Sequence, residues 1–148
     1  IERLIVTALA GRAAEEVVLG STTIGCGGRN SASDLARATQ FAVDAVSIEG
    51  FSQDGLLWTP DRAEIAACHS ARLTEANGML AQGYERAKRI VAEGKPFLLA
   101  LADALQNERA LNHQAILMIA ERFPPQSRGA LAWEGATSPT PNRRGFWR

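Results

Sequence analysis

Ser31-Ala32-Ser33-Asp34-Leu35-Ala36-Arg37-Ala38-Thr39 reads as the entry of a helix. Ser31 or Ser33 supplies the cap, and Asp34 stands in the first turn, where the positive end of the helix dipole favours a carboxylate. Leu35, Thr39, Ala42, Val43 and Val46 then recur at helical steps, and the run stops around Gly50-Phe51-Ser52. Upstream of this entry, Gly20 to Ser33 is rich in Gly, Ser, Thr and Asn, with Gly25, Gly27 and Gly28 together. Such a composition is a loop. Before the loop, Leu4, Ile5, Ala8, Leu9 and Arg12 repeat every three or four residues and stop at Gly20, as a helix with a glycine cap does.

Downstream, Leu56-Leu57-Trp58 suggests a short strand in an otherwise irregular connection. The longest element is expected from about Arg62 to Glu93, with Ile65, Leu73, Ala76, Leu80, Gly83, Ala87 and Ile90 as its apolar stripe. Gly78 and Gly83 interrupt it, each costing roughly 1 kcal/mol against Ala, so a bend or the close approach of another helix is expected there. Gly94 ends this helix, and Pro96 suits the first turn of the next, whose buried face is expected to be Phe97, Leu98, Leu101, Ala104 and Leu105. Asn112 caps a final helix, with Leu111 and Ile116 spaced as a hydrophobic staple.

After Phe123, Pro124, Pro125, Pro139 and Pro141 with scattered Gly and Ser deny the chain any period. Residues 123–148 are therefore expected to be an irregular tail on a helical unit of residues 1–122, with Trp133, Phe146 and Trp147 docking on a neighbour. The expected fold is mostly α: a bundle of about five helices, one of them long, with a glycine-rich loop beside Asp34.

Composition narrows the function. The chain has 148 residues, 46% of them apolar, which suffices for one domain with a real core. Sixteen basic residues balance 16 acidic ones for a net charge of +0, so no overall field attracts nucleic acid or an acidic membrane surface. In the tail, Arg128, Arg143, Arg144 and Arg148 face only Glu134, too dispersed for a nucleic-acid arm. No nucleic-acid partner is expected. Cys26 and Cys68 are far apart and read as free thiols in a reducing compartment. No stretch reaches the roughly 18 to 20 apolar residues of a transmembrane helix, and no signal-peptide order is present, so the chain as given is expected to be soluble. Ile1 already lies inside a helical pattern without a cap, which suggests a start in mid-protein.

The chemistry-bearing residues are few. His69 and His113 belong to no H-E-x-x-H pair, the spacing that sets two imidazoles on one helix face for zinc. The glycines around Cys26 are followed by no Gly-Lys-Ser or Gly-Lys-Thr, which argues against a phosphate loop. Taken alone, Asp34 is an ordinary first-turn acid and Glu15-Glu16 a solvated helix face.

In combination these blocks say more. Ala10-Gly11-Arg12-Ala13-Ala14-Glu15-Glu16-Val17-Val18-Leu19-Gly20, then Thr23 and Gly25, then Asp34-Leu35-Ala36-Arg37-Ala38-Thr39 and Gly50-Phe51-Ser52 resemble the peptidase domain of the FtsH family. Those proteins are membrane-bound, ATP-dependent zinc metalloproteases. Tyr84-Glu85-Arg86-Ala87-Lys88, Leu98, Leu101-Ala102-Asp103-Ala104-Leu105 and Leu111 are similar to the same domain's two C-terminal helices, so the resemblance covers roughly residues 4 to 119.

The resemblance implies that Asp34 is one carboxylate ligand of a zinc ion whose two histidine ligands, and the glutamate general base between them, lie in an H-E-x-x-H segment upstream of Ile1. It implies that Glu15 and Glu16 support the site or pack helices rather than touch the metal. It also implies ATP on a separate domain, unfolded polypeptides as substrates, a hexameric homo-oligomer, and a place on the cytoplasmic side of a membrane for the full protein. This chain alone is then expected to be inactive and to hold no zinc tightly, since one ligand gives negligible affinity. Three departures stand out: Ser33 where the family usually has Asn, an expanded loop from Cys26 to Ser31, and Thr74-Glu75-Ala76-Asn77 where the family typically has a more acidic, Asp-containing run. They leave a second reading, a noncatalytic helical interaction module or degenerate protease relative in which Asp34 only occupies a helix end.

Overall fold

The computed structural model describes residues 1–23, 30–53 and 70–124. Among them are five helices: α1 Glu2–Leu19, α2 Asp34–Ser47, α3 Ser70–Glu93, α4 Lys95–Glu108 and α5 His113–Arg122. No strand occurs among the described residues. The mostly α expectation is borne out. The suggested strand at Leu56–Trp58 lies outside the described residues, as do Cys26, Cys68, His69, Trp133, Phe146 and Trp147.

Helix boundaries follow the local chemistry. Gly20 ends α1 in the left-handed region at φ 77°, and its N–H donates to Glu16 O at 2.9 Å. Ile1 precedes α1 without any side-chain cap. Of the two candidate serines, Ser33 is the cap of α2, its Oγ accepting from the Ala36 N–H at 3.2 Å. Asn112 caps α5 as expected, accepting from the Ala115 N–H at 2.8 Å. Pro96 falls in the first turn of α4, where its missing N–H costs nothing.

The core sits where α1, α2 and α3 meet. Ile5 and Leu9 of α1, Ala38, Ala42 and Val46 of α2, and Ala76 of α3 form one buried cluster, flanked by Leu35, Phe41, Met79 and Leu80. Ala13, Ala45 and Ala87 are also fully buried. Burying Ile5 and Leu9 contributes roughly 1.5–3 kcal/mol each. The expected faces are correct in direction and offset in detail. Leu4 is 50% exposed and Leu73 42% exposed, while Thr39 is also outside the core. The buried face of α2 runs through Ala38, Ala42 and Ala45, one step around from the Leu35–Thr39–Val43 line, because small side chains let α2 lie close against its two neighbours.

Gly83 marks such a close approach. A Cβ built there would stand 2.6 Å from Ile5 Cγ2, so the interruption in the α3 stripe is a contact with α1. At Gly78 a Cβ would meet nothing within 4 Å. The long helix is described from Ser70; the expected first turns from Arg62 lie outside the described residues.

α4 and α5 form a separate hairpin that packs mainly on itself and on the end of α3. No residue of either helix is fully buried. The face expected to be buried is only half-covered, and Leu105 is 50% exposed.

Candidate functional site

The C-terminal half of α1 carries the acidic pair. Successive helical residues point about 100° apart, so Glu15 and Glu16 cannot serve the same partner. Glu15 turns toward the residues that follow its own helix: its carboxylate accepts from the Thr23 N–H at 2.7 Å, and the Thr23 hydroxyl donates to it at 2.9 and 3.0 Å. Glu16 turns toward α3, where the Tyr84 hydroxyl donates to Oε2 and Lys88 Nζ donates to Oε1 at 3.3 Å.

Tyr84 and Lys88 are one turn apart on α3 and therefore share a face. The Lys88 ammonium also lies 5.1 Å from the centre of the Tyr84 ring and pairs with Glu85 at 2.7 Å. The electrostatics agree with the geometry. The Tyr84 hydrogen bond, followed by Lys88, holds the Glu16 carboxyl below its ordinary pKa against the opposing effect of burial. Burial, then Glu16, pushes the Tyr84 phenol up, and Glu85 chiefly raises Lys88, with Glu16 adding to it.

The same end of α1 receives a third bond. Lys95, the first residue of α4, donates from Nζ to Val17 O at 3.0 Å, satisfying one of the carbonyls that a helix terminus leaves free. At the other end of α1, Glu2 pairs with Arg86 of α3 at 2.6 Å. α3 thus grips α1 by charged contacts near both termini.

Asp34 occupies the first position of α2, directly after the Ser33 cap. The turn before it is built locally: Asn30 Oδ1 accepts from the Ala32 N–H at 3.0 Å and Asn30 O from the Ser33 N–H at 3.1 Å. The Asp34 side chain is 69% exposed, with Arg37 Nη1 at 3.8 Å. It is an accessible oxygen donor, chemically suited to zinc and held at a fixed place by its cap. Among the described residues no three or more His, Cys, Asp or Glu side chains gather where they could hold a metal. No bond joins Asp34 to Glu15 or Glu16, whose carboxylates are occupied by Thr23 on one side and Tyr84 with Lys88 on the other. His113 stands exposed in the first turn of α5.

Comparison with known proteins bears on this arrangement. The chain is 28% identical over 139 residues to the ATP-dependent zinc metalloprotease FtsH of Haemophilus influenzae, an alignment that takes in 84% of this chain. It is 30% identical over 142 residues, 86% of the chain, to the ATP-dependent zinc metalloprotease FtsH of Buchnera aphidicola. The chain is FtsH-like. A mitochondrial ATP-dependent zinc metalloprotease, FTSH 3 of Oryza sativa, is 27% identical over 78% of the chain. The FtsH-like chain spans only 15% to 23% of the length of these relatives. No family model matches it, and no solved structure does.

Thr23, Tyr84, Lys88 and Lys95 are the site's additional members; the first three stand inside the quoted motif blocks without a role assigned to them, and Lys95 stands outside the blocks. Tyr84 and Lys88 carry a usable signal, since an aromatic hydroxyl and a cation at i and i+4 form one polar face on an otherwise apolar helix side. Lys95 carries none, and for Thr23 the blocks give the residue but not its partner, which is set by where α1 ends in space.

Proposed function

We propose that this chain is part of an ATP-dependent zinc metalloprotease in which Asp34 supplies one carboxylate to the zinc, with the histidine pair and the general-base glutamate in an H-E-x-x-H segment upstream of Ile1. The observation that carries the reading is an FtsH alignment over 84% and 86% of the chain that includes an exposed carboxylate at the capped start of α2. When bound, zinc activates water and polarises the peptide carbonyl. This chain's own part is to present the exposed Asp34 carboxylate at the capped N-terminus of α2. Glu15 and Glu16 support that frame without touching the metal.

In the same reading, ATP is used on a separate domain, the full protein assembles as a ring, hexameric by resemblance, on the cytoplasmic side of a membrane, and its substrates are unfolded polypeptides. Among the described residues no helix is long and apolar enough to cross a membrane. This chain by itself neither cleaves peptides nor retains zinc, since Asp34 is one ligand of a larger set.

The test is Asp34→Asn in the full-length protein, with bound zinc and cleavage of an unfolded polypeptide as readouts. Loss of both supports the reading, and full zinc content with unchanged cleavage overturns it. A second reading, a noncatalytic helical interaction module, draws on the exposed leucines and methionine of the α4–α5 hairpin. The reading frame upstream of Ile1 separates the two: an intact H-E-x-x-H supports the protease and a broken one the module.

A further inference from the structure

We propose that the cleft where the end of α3, the head of α4 and the exit of α5 meet is the docking site of the chain's own C-terminal segment, with Trp133 filling it and Glu134 pairing with Arg122. The cleft encloses about 320 Å³. Its walls are Pro96 and Phe97 of α4 and Phe123 and Pro124 after α5, with Glu93 of α3 and Arg122 of α5 as the charged members. Phe97 and Phe123 are only half-buried, so the cleft keeps apolar surface that an occupant takes out of water. A mainly apolar cleft of this size with few charges suits one large side chain with a polar neighbour.

Three observations select the occupant. First, the described chain ends at Pro124, itself a wall of the cleft, and residues 125–148 follow it. Eight residues separate Pro124 from Trp133. Each spans up to roughly 3.3–3.6 Å, so the chain can leave the cleft and return to it with slack.

Second, the charges match. The Arg122 guanidinium lies 5.6 Å from the centre of the Phe123 ring and has no carboxylate partner among the described residues. Glu134 is the only acidic residue beyond Arg122, and it adjoins Trp133. Phe146 and Trp147 stand among Arg143, Arg144 and Arg148, cations that Arg122 repels.

Third, neither α4 nor α5 buries a residue completely, and a third apolar surface is what such a pair lacks. Ala130-Leu131-Ala132-Trp133 is the longest apolar run beyond Pro124. Docked in the cleft, this run ties the exit of α5 to the junction of α3 and α4, beside the Lys95 whose ammonium holds Val17 O. The docking is a property of the helical unit and stands whether or not Asp34 binds zinc.

The experiment reads Trp133 by fluorescence in the 148-residue chain with Trp58→Phe and Trp147→Phe, which leave it the sole tryptophan. Acrylamide quenching is compared with that of a peptide of residues 125–148 carrying Trp147→Phe. A cleft that buries roughly 70–90% of its occupant slows quenching about threefold or more. Arg122→Glu turns the ion pair into a repulsion, and Glu134→Arg does the same from outside the helices. Each is expected to lower the ratio of docked to free Trp133 roughly fivefold, and the two together restore it.

Protection that is independent of chain concentration, reduced by each single variant and regained in the swap supports the proposal. Quenching as fast as in the peptide overturns it. So does protection that neither single variant changes, which puts Trp133 elsewhere on the chain, and protection that grows with chain concentration, which puts it on a second copy.

Discussion

The α1–α3 bundle and the α4–α5 hairpin are built from similar helices and end in different states of burial. α1, α2 and α3 bury Ile5, Leu9, Val46 and a set of alanines completely, while α4 and α5 bury no residue completely and leave Leu99, Leu105, Leu117 and Met118 exposed. The contrast does not come from composition, because α4 carries as many leucines as any helix here. It comes from side-chain size at the contact. Alanines on α2 and Gly83 on α3 let three helices approach until one large residue, Ile5, fills the remaining space, whereas two helices alone have no third surface to close their apolar stripe.

The comparison breaks most readily at Ile5. Ile5→Ala is expected to cost about 2–5 kcal/mol, the range for emptying a well-packed core site, in denaturant unfolding of the full chain. If the loss is under about 1 kcal/mol, the three-helix centre does not dominate stability. Gly83→Ala tests the close approach directly. The added methyl meets Ile5 Cγ2 at 2.6 Å, so about 1–3 kcal/mol of destabilisation is expected from overpacking. The same change at Gly78, where nothing stands within 4 Å, should stabilise by up to about 1 kcal/mol.

A smaller effect is read from pH. The native state holds Glu16 below its ordinary pKa, so its contribution is fully present above the ordinary carboxylate range and is lost as pH falls through that range and on below it. Tyr84 and Lys88 are raised, so their contribution is present below their ordinary values and is lost as pH climbs past them. Stability measured across pH should flatten on its acid limb in Glu16→Gln. An unchanged acid limb would show that Glu16 does not bind α1 to α3. The smallest effect is expected on the hairpin: Met118, 68% exposed, should tolerate Gln within about 0.5 kcal/mol. A larger loss, seen in the unfolding midpoint, would mean that the hairpin face is covered in solution.

The helices of both regions are legible in the sequence, and the difference in their burial is not. The stops at Gly20 and Gly94, the cap at Asn112 and the proline at the head of α4 all act within a few residues, so the sequence alone locates them, and it narrows the α2 cap to Ser31 or Ser33, of which the structure selects Ser33. Periodicity found the helices and approximately their faces. It misplaced Leu4, Leu73 and Thr39, because a period gives an angular direction to within a residue or so, and which neighbour covers that direction is a tertiary matter. The Phe97–Leu105 stripe of α4 was correctly apolar and wrongly expected to be buried, since a stripe announces only that a surface wants covering. At the candidate site, Asp34, Glu15 and Glu16 could be named from motif blocks. Thr23 and Tyr84 stand in the same blocks, but their pairing could not be read there, because Thr23–Glu15 depends on how the chain turns after α1 and Tyr84–Glu16 on how α1 crosses α3.

Lys95 ties these two regions to each other. It opens α4, yet its ammonium closes the end of α1 by binding Val17 O at 3.0 Å, one residue beyond the glutamate that Tyr84 holds. The hairpin is therefore mechanically geared to the bundle. A force that swings α4 about Gly94 must either break that bond or pull on the last turn of α1, and through Glu15 the pull is delivered to Thr23. Anything that grips the exposed leucines of the hairpin thus also pulls on the last turn of α1, for as long as the Lys95 bond holds.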